Sequence, residues 1–203
     1  MKMLVLGATG ATGALLVDQA LAAGHRVRVL VRSPEKLSLT HPDLEVVTGQ
    51  ATDPHDVGNA MAGMDVVIST LGAAKGSVMT DATRAIIAGA DQSGVRRVVV
   101  LSSFAVLRAR LSGVAKLVSA LSMGEMLRDK ATAEELLRAS ELDWTVVHAV
   151  RLTNGRAAGR TSVVPASATL RLRTSVTRSD VAERLLSSVS DAGWFRHALV
   201  VAG

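Results

Sequence analysis

Between an apolar run, Met3 to Leu6, and a helix-patterned stretch, Ala11 to Ala23, the chain sets three glycines at three-residue spacing: Gly7-Ala8-Thr9-Gly10-Ala11-Thr12-Gly13. Few other features restrict a chain so much. Gly7 allows a tight turn, Gly10 leaves its backbone uncovered, and Gly13 lets the following helix pack closely. Bare N–H groups and a helix N-terminus together attract linked phosphates. The expectation is a strand–turn–helix unit in which Gly7, Thr9, Gly10, Ala11, Thr12 and Gly13 cradle a dinucleotide.

The remainder of the chain repeats that unit. Arg26–Val31, Leu44–Val47, Asp65–Ser69, Arg97–Leu101 and Trp144–His148 read as further short strands, rich in β-branched residues and followed by Gly, Ser, Asp or Pro. Helical patterns fall between them: a turn from Pro34, Pro54–Ala62 capped by Asp53, Asp81–Gln92 before Gly94, and Glu125–Ala139. Strand and helix in alternation require parallel pairing with crossovers on both faces, so the expected fold class is α/β, a doubly wound parallel sheet (Rossmann fold). A length of 203 residues suits one domain over residues 1–203. Residues 151–178 change to Thr, Asn, Gly, Val and Arg in short pieces, and read as a small substrate-side lobe. A helix at Asp180–Val189 and a last strand at Ala198–Val201 follow.

Composition excludes several chemistries. Cysteine is absent, which removes disulfides, thiolate metal sites and cysteine nucleophiles and sits comfortably with a reducing, cytoplasmic setting. No run of about 18 apolar residues occurs, so a soluble, unexported protein is expected and no membrane is called for. The net charge of +5 would suit an anionic partner, but two Phe and two Trp leave little for base stacking and the basic residues are dispersed, which disfavours nucleic acid. His25, His41, His55 and His197 show no ligand spacing, and Asp53, His55 and Asp56 read as a helix start, so no metal is expected. Tyrosine is also absent.

The glycine loop, Val31-Arg32-Ser33-Pro34-Glu35-Lys36-Leu37, Ser69-Thr70-Leu71-Gly72, Val99-Val100-Leu101-Ser102-Ser103 and Leu142-Asp143-Trp144-Thr145-Val146-Val147 together resemble the atypical short-chain dehydrogenase/reductases. Within that group the chain is similar to the NAD(P)H-binding proteins of the biliverdin-IXβ reductase/flavin reductase kind and to NmrA-like proteins. Arg151-Leu152-Thr153-Asn154-Gly155 extends the likeness into the lobe. The resemblance implies a nicotinamide cofactor, lined in addition by Thr70, Leu71, Gly72, Ser102, Ala149 and Val150, and a serine, Ser103, beside nicotinamide and substrate. Related proteins often carry an acid near the position of Gln50, which this chain lacks.

An Asp or Glu ending the second strand would accept ribose hydroxyls and repel a 2′-phosphate. Arg32 stands there instead, with the Ser33 hydroxyl and the Lys36 charge close by, which favours NADP(H) over NAD(H); a solvated strand-end arginine is the plainer alternative. The usual Tyr-x-x-x-Lys pair cannot form. If Lys130 holds the lysine position, Met126 lies where the phenol would be, and a thioether transfers no proton. Alcohol–ketone interconversion by that pair is therefore disfavoured, and hydride delivery to a conjugated acceptor (a flavin, a quinone or a linear tetrapyrrole) remains. Ser103 and Ser102, at the end of the fifth strand, Lys130, and His148, at the end of the sixth, are the candidate catalytic residues. His148 reads either as a proton donor or as a strand-end histidine satisfied by backbone.

Two segments bear on partners. Residues 104–127 are apolar with Arg108, Arg110 and Lys116 interspersed, and their place after a strand's C-terminal end favours a lid over a cleft. Arg151, Arg156, Arg160, Arg171, Arg173 and Arg178 lie in a segment without Asp or Glu, which reads either as an electropositive cleft mouth for an anionic small-molecule acceptor or as solvated turns. The alternative to an enzyme is an NADP(H) sensor of the NmrA-like kind that changes a contact with a protein partner.

Overall fold

A computed structural model describes residues 1–73, 75–107, 117, 124–157, 159, 161–164 and 174–203. Seven parallel strands form the body of an eight-stranded sheet: β1 (Lys2–Leu6), β2 (Arg26–Val31), β3 (Leu44–Thr48), β4 (Val66–Ser69), β5 (Arg97–Ser103), β6 (Asp143–Ala149) and β10 (His197–Ala202). Three short strands lie between β6 and β10: β7 (Arg151–Thr153), β8 (Ser162–Val164) and β9 (Ser175–Thr177). The sheet order is β3-β2-β1-β4-β5-β6-β10-β8, with β8 antiparallel to β10, while β7 and β9 pair in parallel as a separate two-stranded sheet. The order reverses between β1 and β4, the place where open α/β sheets leave a crevice at their strands' C-terminal ends.

The interior strands are apolar on both faces because helices cover both. In β1, Met3 and Val5 enter the core beneath α1 (Ala11–Ala22) and α5 (Arg178–Ser187), whereas Leu4 and Leu6 enter the core beneath α2 (Pro54–Met61), α3 (Val78–Ser93) and α4 (Gly124–Ala139). α1 buries Leu16, Val17, Ala20 and Leu21, and the chain turns out of it at Gly24 with φ +77°. α2 starts at Pro54 with the Asp53 carboxylate accepting the His55 and Asp56 N–H groups, as its sequence predicts.

α3 begins at Val78, three residues before the expected Asp81. The reason is tertiary: the Asp129 carboxylate, from α4, accepts the Met79 and Thr80 N–H groups at 2.9 Å each and closes that N-terminus from outside. At the opposite end of the sheet, Arg97 is buried at the start of β5. It donates to the Val189 carbonyl at 2.9 Å and the Thr145 hydroxyl at 2.7 Å, and lies 4.3 Å over the Phe195 ring. Burial lowers its pKa to about 10, against the pull of Asp143 and Asp191.

The segment after β6, expected as a small substrate-side lobe of the single domain, is tied to the main sheet. β8 extends the sheet edge, and Asp180 of α5 accepts from the Thr177 hydroxyl at 2.7 Å and the Gly159 N–H at 3.2 Å. Phe104–Val106 form a single 3-10 turn with Phe104 buried. Most of the expected lid, including Arg108, Arg110 and Lys116, lies outside the described residues, as do Arg160, Arg171 and Arg173.

Candidate nucleotide and substrate site

The glycine loop sits at the β1–β4 crevice. Gly7 has φ +86°, and a Cβ on it would stand 2.9 Å from the Thr70 hydroxyl; a Cβ on Gly13 would stand 2.2 Å from the Gly7 carbonyl oxygen. Both positions are closed to side chains by the loop's own packing. Gly10 differs, since its Cβ would meet only the Gly7 oxygen, at 3.3 Å. Its bareness leaves space on the outer side. Gly10 also heads α1 with no side-chain cap and no acid in the first turn, and Thr9, Gly10 and Ala11 are exposed while Ala8, Thr12 and Gly13 are buried. An uncapped helix start facing open space offers N–H groups and positive helix-end charge to an anion, so the residues present fit a pyrophosphate.

The neighbouring residues are placed as follows. Thr70 spends its hydroxyl on the loop, donating to the Leu6 and Gly7 carbonyls at 3.1 and 3.3 Å. Leu71 is half-buried and Gly72 exposed immediately after it. Arg32 follows the last residue of β2 and is exposed, without an ion pair among the described residues, next to half-buried Ser33 and exposed Lys36. Gln50 follows β3, its N–H held by Asp56 at 2.8 Å. Ala149 and Val150 are buried where β6 ends.

The other candidates meet along α4. A narrow cleft of about 20 Å³, room for about one water, opens between the ends of β4 and β5 and the helices α3 and α4; Ser102, Lys130 and Glu134 line it together with Leu71, Thr83 and Leu137. Glu134, which sequence reasoning missed, is the hub. Its Oε1 accepts the Ser102 hydroxyl at 2.6 Å, its Oε2 accepts Arg138 Nη2 at 2.7 Å, and His148 Nε2 lies 3.0 and 3.1 Å from the two oxygens. A carboxylate only accepts, so Nε2 carries the hydrogen. Ser102, Glu134 and His148 are 5%, 3% and 1% exposed, and His148 Nδ1 has no hydrogen-bond partner among the described residues.

This corrects the reading of His148 as satisfied by backbone: a carboxylate holds it, and its burial keeps it from touching a substrate directly. Ser103 is half-buried and turned away from Glu134, its hydroxyl accepting the Ala105 N–H at 3.2 Å. Lys130 is 9% exposed with its ammonium in no hydrogen bond or ion pair among the described residues, and Met126 is half-buried one turn earlier. A signal for Glu134 was present in the sequence: Lys130, Glu134 and Arg138 recur every fourth residue on one side of a helix that also carries Leu127 and Leu137.

Burial would raise the Glu134 pKa, but the hydrogen bond and charge of His148, with the bonds from Ser102 and Arg138, outweigh it and hold the carboxyl below its usual range. Burial lowers the Lys130 pKa, and the attraction of Glu134 and Asp129 does not restore it. The cleft thus pairs a persistent carboxylate with an ammonium that gives up its proton more readily than usual. Among the described residues no group of His, Asp and Glu is arranged to hold a metal ion.

An open phosphate cradle at the switch point of a doubly wound sheet defines a dinucleotide-binding α/β protein. Residues 7–192 match the NAD(P)H-binding family, and the chain belongs to it. It is 34% identical over 121 residues to a 3-beta-hydroxysteroid dehydrogenase of Mycolicibacterium neoaurum, a match that covers 52% of this chain and only 33% of that protein. The chain therefore spans about a third of the length of that relative. In fold it is similar to ChuY, an anaerobillin reductase from Escherichia coli O157:H7 (TM-score 0.82, 23% identity, 99% and 96% of the two chains). A short-chain dehydrogenase/reductase from Veillonella parvula in complex with NADP shares the fold too (TM-score 0.85, 18% identity, 100% and 94%).

Proposed function

We propose that the chain is an NADPH-dependent reductase that transfers hydride to a conjugated small-molecule acceptor such as a flavin, a quinone or a linear tetrapyrrole. The observation that carries this reading is the uncapped Gly10 end of α1 beside a cleft that holds Lys130 and Ser102, in a chain without a phenol. The fold shared with an anaerobillin reductase supports it. When bound, the nicotinamide supplies the hydride. The chain supplies the rest: the Gly7–Gly13 backbone takes the pyrophosphate, Arg32 with Ser33 and Lys36 takes the 2′-phosphate, and Ser102 and Lys130 at the cleft mark where the acceptor's reacting end would dock.

The test is NADPH oxidation by the purified protein with FMN, menadione or biliverdin added. Faster oxidation with at least one of them is expected; tight NADPH binding without turnover of any acceptor would overturn the reductase reading. The missing tyrosine is the observation that favours an NADP(H) sensor, in which that second outcome is the normal one. A protein partner captured in only one redox state of the cofactor would support it.

A further inference from the structure

Hydride transfer to a conjugated double bond leaves an anion that needs a proton, and a chain without tyrosine must find that proton elsewhere. Three buried groups from three elements are linked at the cleft: Ser102 at the end of β5 and Glu134 on α4 line it, and His148 at the end of β6 backs Glu134. In sequence they stand 32 and 14 residues apart. Burying a carboxylate and an imidazole is costly, and an apolar pair would pack this position at less expense. Structural pinning of α4 to β6 does not by itself call for a titratable group at the inner end of the chain of contacts.

We infer that Ser102, Glu134 and His148 form a proton relay, in which the Ser102 hydroxyl protonates the acceptor and the buried Glu134–His148 pair replaces that proton. This deepens the proposed reductase reading and rests on it. The acceptor gains a hydride, with two electrons, from the reduced nicotinamide, and a proton from Ser102 Oγ. His148 Nε2 gives its proton to the Glu134 carboxylate, and Glu134 hands it on to Oγ as the serine loses its own. The imidazolium becomes neutral imidazole, Glu134 ends as the carboxylate it was, and cleft water reloads the store by the same route in reverse. Ser102 is the group in contact with the acceptor. Glu134 and His148 act only through it.

The surroundings suit a store that releases its proton. His148 Nε2 faces both Glu134 oxygens at 3.0 and 3.1 Å, while Nδ1 has no hydrogen-bond partner among the described residues, so the ring is held from one side only. Among the described residues the charged groups beside the pair are on α4: Arg138, bonded to Glu134, and Lys130, attracted to Glu134 at longer range, while the Asp129 carboxylate is taken up by the start of α3. β10 places Val200 opposite His148, and α3 presents Thr83 to the cleft while its Asp81 and Arg84 pair with each other at the surface.

The experiment is the pH dependence of kcat for wild type, His148→Gln, Ser102→Ala and Ser102→Thr with NADPH and whichever of FMN, menadione and biliverdin wild type reduces. Gln keeps an N–H for Glu134 but stores no proton. In wild type, kcat falls as pH rises and the store empties. In H148Q that fall disappears and kcat at neutral pH drops by about 10²-fold, the usual worth of general acid catalysis, with NADPH Kd unchanged. S102A reproduces the loss and S102T restores activity, so the relay is also read from its cleft end should H148Q fail to fold. Profiles in H148Q and S102A that keep the wild-type shape, whatever the change in Tm, would overturn the relay alone. No turnover of any acceptor by wild type would overturn the reductase reading, and the relay with it.

Discussion

At the scale of single residues, the cleft is built against its own stability. Lys130 is nearly buried and unpaired, and burial favours its neutral form, so folding at neutral pH carries a cost that is relieved only as pH rises through its lowered pKa. Lys130→Met, a swap of similar volume, is therefore expected to stabilise the fold by about 1–2 kcal/mol, seen as a Tm higher by roughly 2–8 °C, while activity falls. Glu134 has the opposite sign. Its folded pKa lies below 4.5, so its contribution is present above that value and lost as pH falls through the folded pKa. Urea midpoints measured between pH 7 and pH 3 should show an acid decline that Glu134→Gln flattens. Arg32→Glu, at an exposed strand end, should leave Tm unchanged but weaken NADPH by about 1–3 kcal/mol, or roughly 5- to 150-fold in Kd, with little effect on NADH. Equal losses for both cofactors in a binding titration would remove the 2′-phosphate role.

At the scale of elements, what could be read from the sequence divides by distance along the chain. The start of α2 was legible because Asp53 and Pro54 cap it from within four residues. The start of α3 was not, because its cap is Asp129, about 50 residues later. The same holds for the cleft: Ser102, Lys130 and His148 were each singled out from position at a strand end or helix, but Glu134, the common partner of Ser102 and His148, shows only when α4 is laid against β5 and β6. Asp129→Ala should cost about 2–3 kcal/mol in urea unfolding, since two buried N–H groups lose a charged acceptor, and Asp129→Asn should recover part of it. The segment 151–178 was read as a lobe because its periodicity breaks down. β8 nevertheless joins the main sheet, a pairing that its three residues do not announce.

At the scale of the whole molecule, the parallel order was legible because the buried strands are apolar without alternation and helices separate them. The two ends of the sheet then take different work. The N-terminal end of β5 carries Arg97, whose guanidinium ties β6, the turn after α5 and Phe195 into one unit. Its replacement by Met should destabilise the fold by about 3–5 kcal/mol, read in urea unfolding, if the carbonyls it holds are left unpaired, without changing NADPH affinity. A parallel loss of both would mean that the ends are coupled. Two helices start at the crevice on the other end, and they have unequal electrical character. One is plugged by a carboxylate borrowed from a later helix, the other is left bare. A negatively charged visitor thus encounters a single welcoming pole, and its orientation in the groove is decided before any contact with the reacting end is made.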